Sequence, residues 1–210
     1  MLQTTAVEPH TLSLLKKLMQ IAALNSFYLV GGTCLALRYG HRRSVDLDLF
    51  SIVDFDIAEK LEAINNAGFN FDARRLNLAS KMGAFGFIDG IKIDLLKSHY
   101  FKQIDNFQII DGIRMFGDRD IIAMKIFAIL QRAQKKDFWD LAELLDHYNF
   151  KECVEAYNEK YPNNQMLISI PYAVTYFADA EEIEDPISLK GQTWEGVKKM
   201  VGQKVNEYLK

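Results

Sequence analysis

Apolar and polar positions change their period several times along this chain, and each change marks an element. From Thr11 to Leu24, Leu12, Leu15, Met19 and Ala23 recur at helical spacing, with Thr11 as the N-cap. Phe27 to Val30 is an apolar run with the length of a short buried strand. Thr33 to Tyr39 reads as a helix that Gly40 terminates. Val45 to Phe50 alternates with period two, which predicts a strand with Val45, Leu47 and Leu49 on one face. Phe55 to Asn66 returns to a helical period and closes at Gly68.

The middle of the chain is richer in β-formers. "AFGFIDGIKIDLL" holds two such runs joined by Asp89-Gly90, a dipeptide suited to the tight hairpin turn because both positions tolerate positive φ. "FQIIDGIRMF" repeats the device at Asp111-Gly112. Beyond Asp118, "DIIAMKIFAILQRAQKKDFWDLAELLDHY" keeps a helical pattern throughout and predicts one long helix. The last sixty residues are mostly helical, with breaks near Pro162, Pro171 and Pro186. The order suggests an α+β chain: a sheet unit over residues 1–117 and a helical lobe over 118–210. No linker-like composition separates them, so the two are expected to pack together.

Composition narrows the classes. Of 210 residues, 49% are hydrophobic, enough for a sizeable core. The net charge of -3 and pI of about 5.8 supply no global positive field for nucleic acid, though a local basic patch is compatible with them. Cys34 and Cys153 stand alone, forming neither a disulfide framework nor a zinc motif. With no charged-then-apolar leader and no apolar run near the ~18 residues of a membrane span, the expected setting is the reducing cytoplasm.

The chemistry gathers in "YLVGGTCLALRYGHRRSVDLDLF". Asp46 and Asp48 are two apart on the predicted strand, so both face the same way at about 7 Å. Like charges so placed repel unless something positive lies between them. A hard divalent cation answers that need, and a solvated acidic edge strand answers it more simply. Gly31-Gly32 lies between a strand and a helix, where glycine lets the backbone approach a phosphate closely. A tight turn explains it equally, and neither a Walker loop nor a Gly-x-Gly-x-x-Gly pattern follows. Asp94 in "IKIDLL" can join the other two carboxylates if its strand lies beside theirs, giving a trio suited to phosphoryl or nucleotidyl transfer. Arg42 and Arg43 stand just before the aspartates, as phosphate ligands or as charges offsetting them, and His41 beside them has no role that the pattern assigns. On an unbroken helix, at about 100° per residue, Arg132, Lys136 and Asp140 fall about -20°, +20° and +60° from Lys125, on one stripe. Such a stripe is usually a solvated face, with Lys136 and Asp140 as an i,i+4 pair.

These motifs resemble the nucleotidyltransferase superfamily: a glycine pair, a spacer, an Asp-hydrophobic-Asp pair and a later carboxylate. More narrowly, "GGTCLAL…GHRRSVDLDLF" with "KIFAILQRAQKKDFWDL" is similar to the abortive-infection nucleotidyltransferase toxins of the AbiEii/AbiGii type, over about Phe27 to Leu145. The resemblance implies a polymerase-β-like core, a mixed sheet flanked by helices, with a helical C-terminal lobe. It implies magnesium held by Asp46, Asp48 and Asp94. It also implies a nucleoside triphosphate contacted by Gly31, Gly32, Thr33, Arg42, Arg43, Ser44, Lys125, Arg132, Lys136 and Asp140. The implied reaction transfers a nucleoside monophosphate to a hydroxyl of an RNA such as tRNA, or of a protein, under the control of a separately encoded antitoxin. Two other classes share the motifs. One is an aminoglycoside-type enzyme whose cleft the acidic run Asp179 to Pro186 would line, and the other is a catalytically silent nucleotide-binding module.

Overall fold

The computed structural model describes residues 1–73, 82–97, 102–164 and 168–210, and a six-stranded mixed sheet runs through its centre. The strands are β1 (Phe27–Val30), β2 (Leu47–Ser51), β3 (Gly83–Ile88), β4 (Ile91–Lys97), β5 (Gln108–Ile110) and β6 (Ile113–Met115), in the order β3-β4-β2-β1-β6-β5. β1 is antiparallel to β2 and parallel to β6, and β2 is parallel to β4. The outer pairs, β3–β4 and β5–β6, are the two hairpins. Asp89 and Asp111 both take φ 51°, and Gly90 and Gly112 both take φ 79°. Positive φ at both turn positions is the geometry whose twist matches the flanking strands, which is why Asp-Gly marks both hairpins.

The helices are α1 (Pro9–Leu18), α2 (Gly31–Tyr39), α3 (Ile57–Asn66), α4 (Asp118–Arg132), α5 (Lys135–Leu145), α6 (Phe150–Lys160), α7 (Ile170–Thr175) and α8 (Trp194–Leu209). One hydrophobic core joins sheet residues such as Leu29, Leu47 and Ile93 to Ile122, Trp139 and Val201 of the helical half. At its helical end the indoles of Trp139 and Trp194 stack at 5.7 Å, tying α8 to α5. No helix among the described residues is long and apolar enough to cross a membrane.

Three expectations need correction. Thr11 is buried inside α1, whose N-cap is Glu8, and the helix stops at Leu18; Ala22–Leu24 forms a separate 3-10 turn. Val45 lies outside β2 and is 57% exposed, so the buried face of that strand is Leu47, Leu49 and Ser51. The long helix is two helices. Ala133 takes the left-handed conformation (φ 44°) and Gln134 is extended, so the chain turns back between α4 and α5. A break made without glycine or proline leaves no mark in a periodic pattern. The shared stripe computed for one helix therefore does not exist, and Lys136 does not pair with Asp140.

Candidate active site

The sheet's register assembles the acidic residues. Val30 of β1 pairs with Asp48 of β2, and Asp48 pairs with Asp94 of β4, so the three form one row across adjacent strands. Register partners point to the same side of a sheet, so the Asp48 and Asp94 carboxylates are neighbours. Asp94 is 7% exposed; its Oδ2 accepts from Lys92 Nζ at 2.6 Å, while its Oδ1 is buried without a partner. Asp48 is half-buried, and among the described residues no hydrogen bond or ion pair reaches it. Burial, and then the negative charge of Asp94, pushes its carboxyl above the usual range. Asp46 precedes β2 rather than lying on it, and faces Lys136 Nζ at 3.8 Å. No three acidic, histidine or cysteine side chains among the described residues are close enough to enclose an ion in this conformation. The row thus joins two of the expected carboxylates and leaves Asp46 at its margin.

The glycine turn is shaped by close approach. Gly31 opens α2 with φ 70°, and a Cβ there would lie 2.5 Å from Asp48 Oδ2. A Cβ on Gly32 would lie 2.2 Å from a terminal guanidinium nitrogen of Arg42. The pair is what lets a carboxylate and a guanidinium press against the start of a helix whose N-terminus no side chain caps. Thr33 is buried, and its hydroxyl bonds Ser44 Oγ at 2.8 Å and donates to the Asp46 carbonyl. It pins the loop that delivers the aspartates.

The turn between α4 and α5 creates a second charge cluster. Asp140 is fully buried and accepts from Arg42 Nε at 2.7 Å and a terminal Arg42 nitrogen at 2.8 Å. Lys125 Nζ lies 2.6 Å from the same carboxylate and donates to Asp137 at 3.0 Å, and Arg132 Nε donates to Asp137 at 3.0 Å. His41 Nε2 lies 2.7 Å from Asp140 Oδ1; a carboxylate only accepts here, so Nε2 carries the proton. Burial alone would raise Asp140, but Arg42 and Lys125 hold it well below the usual carboxylate range. Burial alone would lower Lys125, but Asp140 and Asp137 raise it. Asp140 reaches no solvent, so it acts on any ligand only through Lys125 and Arg42.

Two cavities flank Asp48. One, of about 250 Å³, is basic and lined by Gly32, Arg42, Ser44, Lys125, Arg132 and Lys136, with Asp46 and Asp48 on one wall. The other, of about 290 Å³, is lined by Gly31, Asp48, Asp94, Phe50, Met124 and Phe127, and Lys125 and Arg132 border both. Phe50, Leu96, Met124 and Phe127 also line a third, more apolar cavity of about 260 Å³, with Phe116, Tyr161, Lys97 and Lys160.

Arg43 also lines the basic cavity, while its guanidinium pairs with Glu8 at 2.9 Å on the surface and its backbone N–H donates to the Ile187 carbonyl. The segment around Ile187 runs beside the basic turn, with Leu189 donating to the His41 carbonyl, and Pro186 and Ile187 lining the basic cavity. Of the acidic run, Glu181 pairs with Lys198 and Asp185 with Lys135, and none of its carboxylates lines a cavity beside Asp48. Pattern reading missed Asp137 as the bridge between Lys125 and Arg132, and missed Lys92. Lys92 and Asp94 are two apart in "IKIDLL", so a strand puts both on one face, and that signal was available.

Comparison with known proteins is consistent over nearly the whole length. Residues 13–80 and 89–207 match the family model described as nucleotidyl transferase AbiEii toxin, type IV TA system. A protein of Aquifex aeolicus (strain VF5), itself uncharacterised, is 33% identical over 205 residues, covering 93% of this chain and 94% of the relative. MenT4, the nucleotidyltransferase toxin Rv2826c of Mycobacterium tuberculosis H37Rv, shares the fold at TM-score 0.59 and 13% identity, over 91% of this chain and 81% of that one. The antibiotic-resistance factor ANT(2'')-Ia is similar at TM-score 0.52 and 14% identity, over 70% and 89%.

Proposed function

The chain belongs to the AbiEii nucleotidyl transferase toxin family of type IV toxin–antitoxin systems, and on that premise we propose that its nucleotidyl transfer takes place at the Asp48–Asp94 row, with an RNA hydroxyl as acceptor. The observation that carries the reading is the pairing of Asp48 with Asp94 on parallel strands beside the glycine turn. These are carboxylate oxygens only, one of them buried and unpartnered, a donor set that suits a hard divalent ion such as magnesium. Magnesium characteristically takes one or two protein carboxylates and completes its sphere with substrate phosphates and water. Asp48 and Asp94 would hold it, while Asp46, on the wall of the neighbouring basic cavity, would have to move to join them. When bound, the ion polarises the phosphoryl oxygens and offsets their charge.

The chain's own groups set the direction of the transfer. An acceptor oxygen attacks the α-phosphorus, the bond from that phosphorus to the β-phosphate bridging oxygen breaks, and pyrophosphate leaves roughly in line with the attack. The basic cavity of Arg42, Lys125, Arg132 and Lys136 receives the β- and γ-phosphates, leaving the cavity beside Asp94 for the acceptor. Asp94 is placed to accept the hydroxyl's proton. Lys125 stays charged because the two carboxylates behind it raise it, so it is a fixed positive wall for the leaving group.

The acceptor side continues into the cavity of Phe50, Met124, Phe127 and Tyr161, with Lys97 and Lys160 at its border. Aromatic and thioether surface with no acidic side chain in its lining favours a nucleobase over a polycationic drug, which needs acidic lining; Lys97 and Lys160 are themselves paired with Asp54 and Asp120. The test is incubation with each radiolabelled triphosphate, magnesium and a cell RNA extract. Label appears on RNA and disappears with Asp48→Asn. Label on an aminoglycoside or on protein instead, or label on RNA that survives Asp48→Asn, would overturn the assignment.

A further inference from the structure

The reading above leaves Lys92 without a task. It lies two residues before Asp94 on β4, so the two side chains share the face that looks onto the carboxylate row. Its Nζ is 2.6 Å from Asp94 Oδ2, and its side chain is 43% exposed where that of Asp94 is 10% exposed. Half-burial would lower this ammonium, but its hydrogen bond to Asp94 and the charges of Asp94, Asp48 and Asp46 raise it. Among the described residues Lys92 is the only cation paired with the row itself. Lys136 reaches only Asp46, Lys125 is held by Asp137 and Asp140, and Arg132 by Asp137.

We infer that Lys92 is the resident counter-ion of the carboxylate row, and that a divalent cation enters by exchange, displacing the Lys92 ammonium from Asp94. This rests on the proposed reading of the row as the metal site. An ammonium is a compact, strongly hydrated point charge on a flexible stem, the side chain most able to stand where a hard cation will sit and then withdraw to solvent. Being tethered two residues away, it competes at an effective concentration in the millimolar range, which a bare ion has to overcome. An ion arriving on a triphosphate has a further hold, because the basic cavity grips the phosphates at the same time. The cation therefore loads with the nucleotide rather than ahead of it, and the empty site keeps its repelling carboxylates together without metal.

Free Mn2+ measured by electron paramagnetic resonance tests this on the full chain, comparing wild type, Lys92→Met and Lys92→Arg. Without nucleotide, Lys92→Met should bind Mn2+ at least about tenfold more tightly than wild type, the size of effect that a like charge this close exerts. Lys92→Arg should bind as wild type does, and a non-hydrolysable triphosphate should narrow the gap. In EDTA, Lys92→Met should melt below wild type and recover with Mn2+, which loss of a merely solvated lysine would not produce. Equal Mn2+ affinity of wild type and Lys92→Met without nucleotide overturns the exchange and leaves the transfer reading standing. No Mn2+ binding by any of the three, with or without nucleotide, overturns both.

Discussion

Two charge clusters contribute to the walls of one cavity and obey opposite rules. Around Asp140 every charge is answered: Arg42, Lys125 and His41 meet Asp140, and Lys125 and Arg132 meet Asp137. Both carboxylates are fully buried, and neighbouring cations override the effect of burial and hold both below the usual range. Around Asp48 the reverse holds. It has no ion-pair partner among the described residues, Asp94 keeps one buried oxygen bare, and Asp48 is raised by burial and by Asp94. A charge cluster that serves the fold has every charge answered by buried partners, whereas the row has a single half-exposed lysine on Asp94 and leaves Asp48 and one Asp94 oxygen unpaired. The first cluster holds the cations of the basic cavity in position; the second has the unpaired oxygens that the proposed metal site needs.

The sharpest way to break this contrast is Asp48→Asn. On the proposed reading, losing this carboxylate removes several kcal/mol of charge stabilisation, about a thousandfold or more in rate. Stability should move the other way. A carboxyl raised in the folded state favours folding only below its unfolded pKa, and that contribution is lost as pH rises through the folded value. Wild type is therefore strained at neutral pH, and Asp48→Asn should unfold at equal or higher urea there, with the gap closing as pH falls through the carboxylate range. A variant that loses stability at pH 7 would place Asp48 with the structural cluster.

Asp140→Ala is the complementary test. It strands Arg42 in the interior and leaves Lys125 with Asp137 alone, at a cost of about 3–5 kcal/mol, read from urea midpoints. Because Asp140 lies well below the usual range, its contribution is present at neutral pH and should be lost as pH falls through that depressed value. Gly31→Ala comes next: a left-handed backbone position with its new methyl 2.5 Å from Asp48 Oδ2 should cost about 1–3 kcal/mol. Its rate should fall further than its melting temperature suggests, since the methyl displaces the carboxylate. The smallest effect is Arg43→Ala, whose exposed pair with Glu8 contributes about 0–1 kcal/mol. A large loss of transfer in Arg43→Ala would mean that the arginine on the surface, and not buried Arg42, faces the phosphates.

The sequence alone was enough for the two hairpins, the glycine junction and the direction of Asp94, though not for the local break at Ala133. Asp-Gly at 89–90 and 111–112 specifies turns that need positive φ, and the alternation in "IKIDLL" orients Asp94. Gly31-Gly32 announces a strand-to-helix junction with room for close approach, and the motif spacing points to nucleotidyl transfer. Tertiary structure alone decided which charges meet. The turn at Ala133 swings α5 back so that Asp140 clamps Arg42 and Lys125, and the strand ladder sets Asp94 beside Asp48. Local pattern fixes the direction of a side chain relative to its own backbone. Its electrostatic partner comes from a strand or helix far away in the chain, and only packing determines the distance that makes two charges one site.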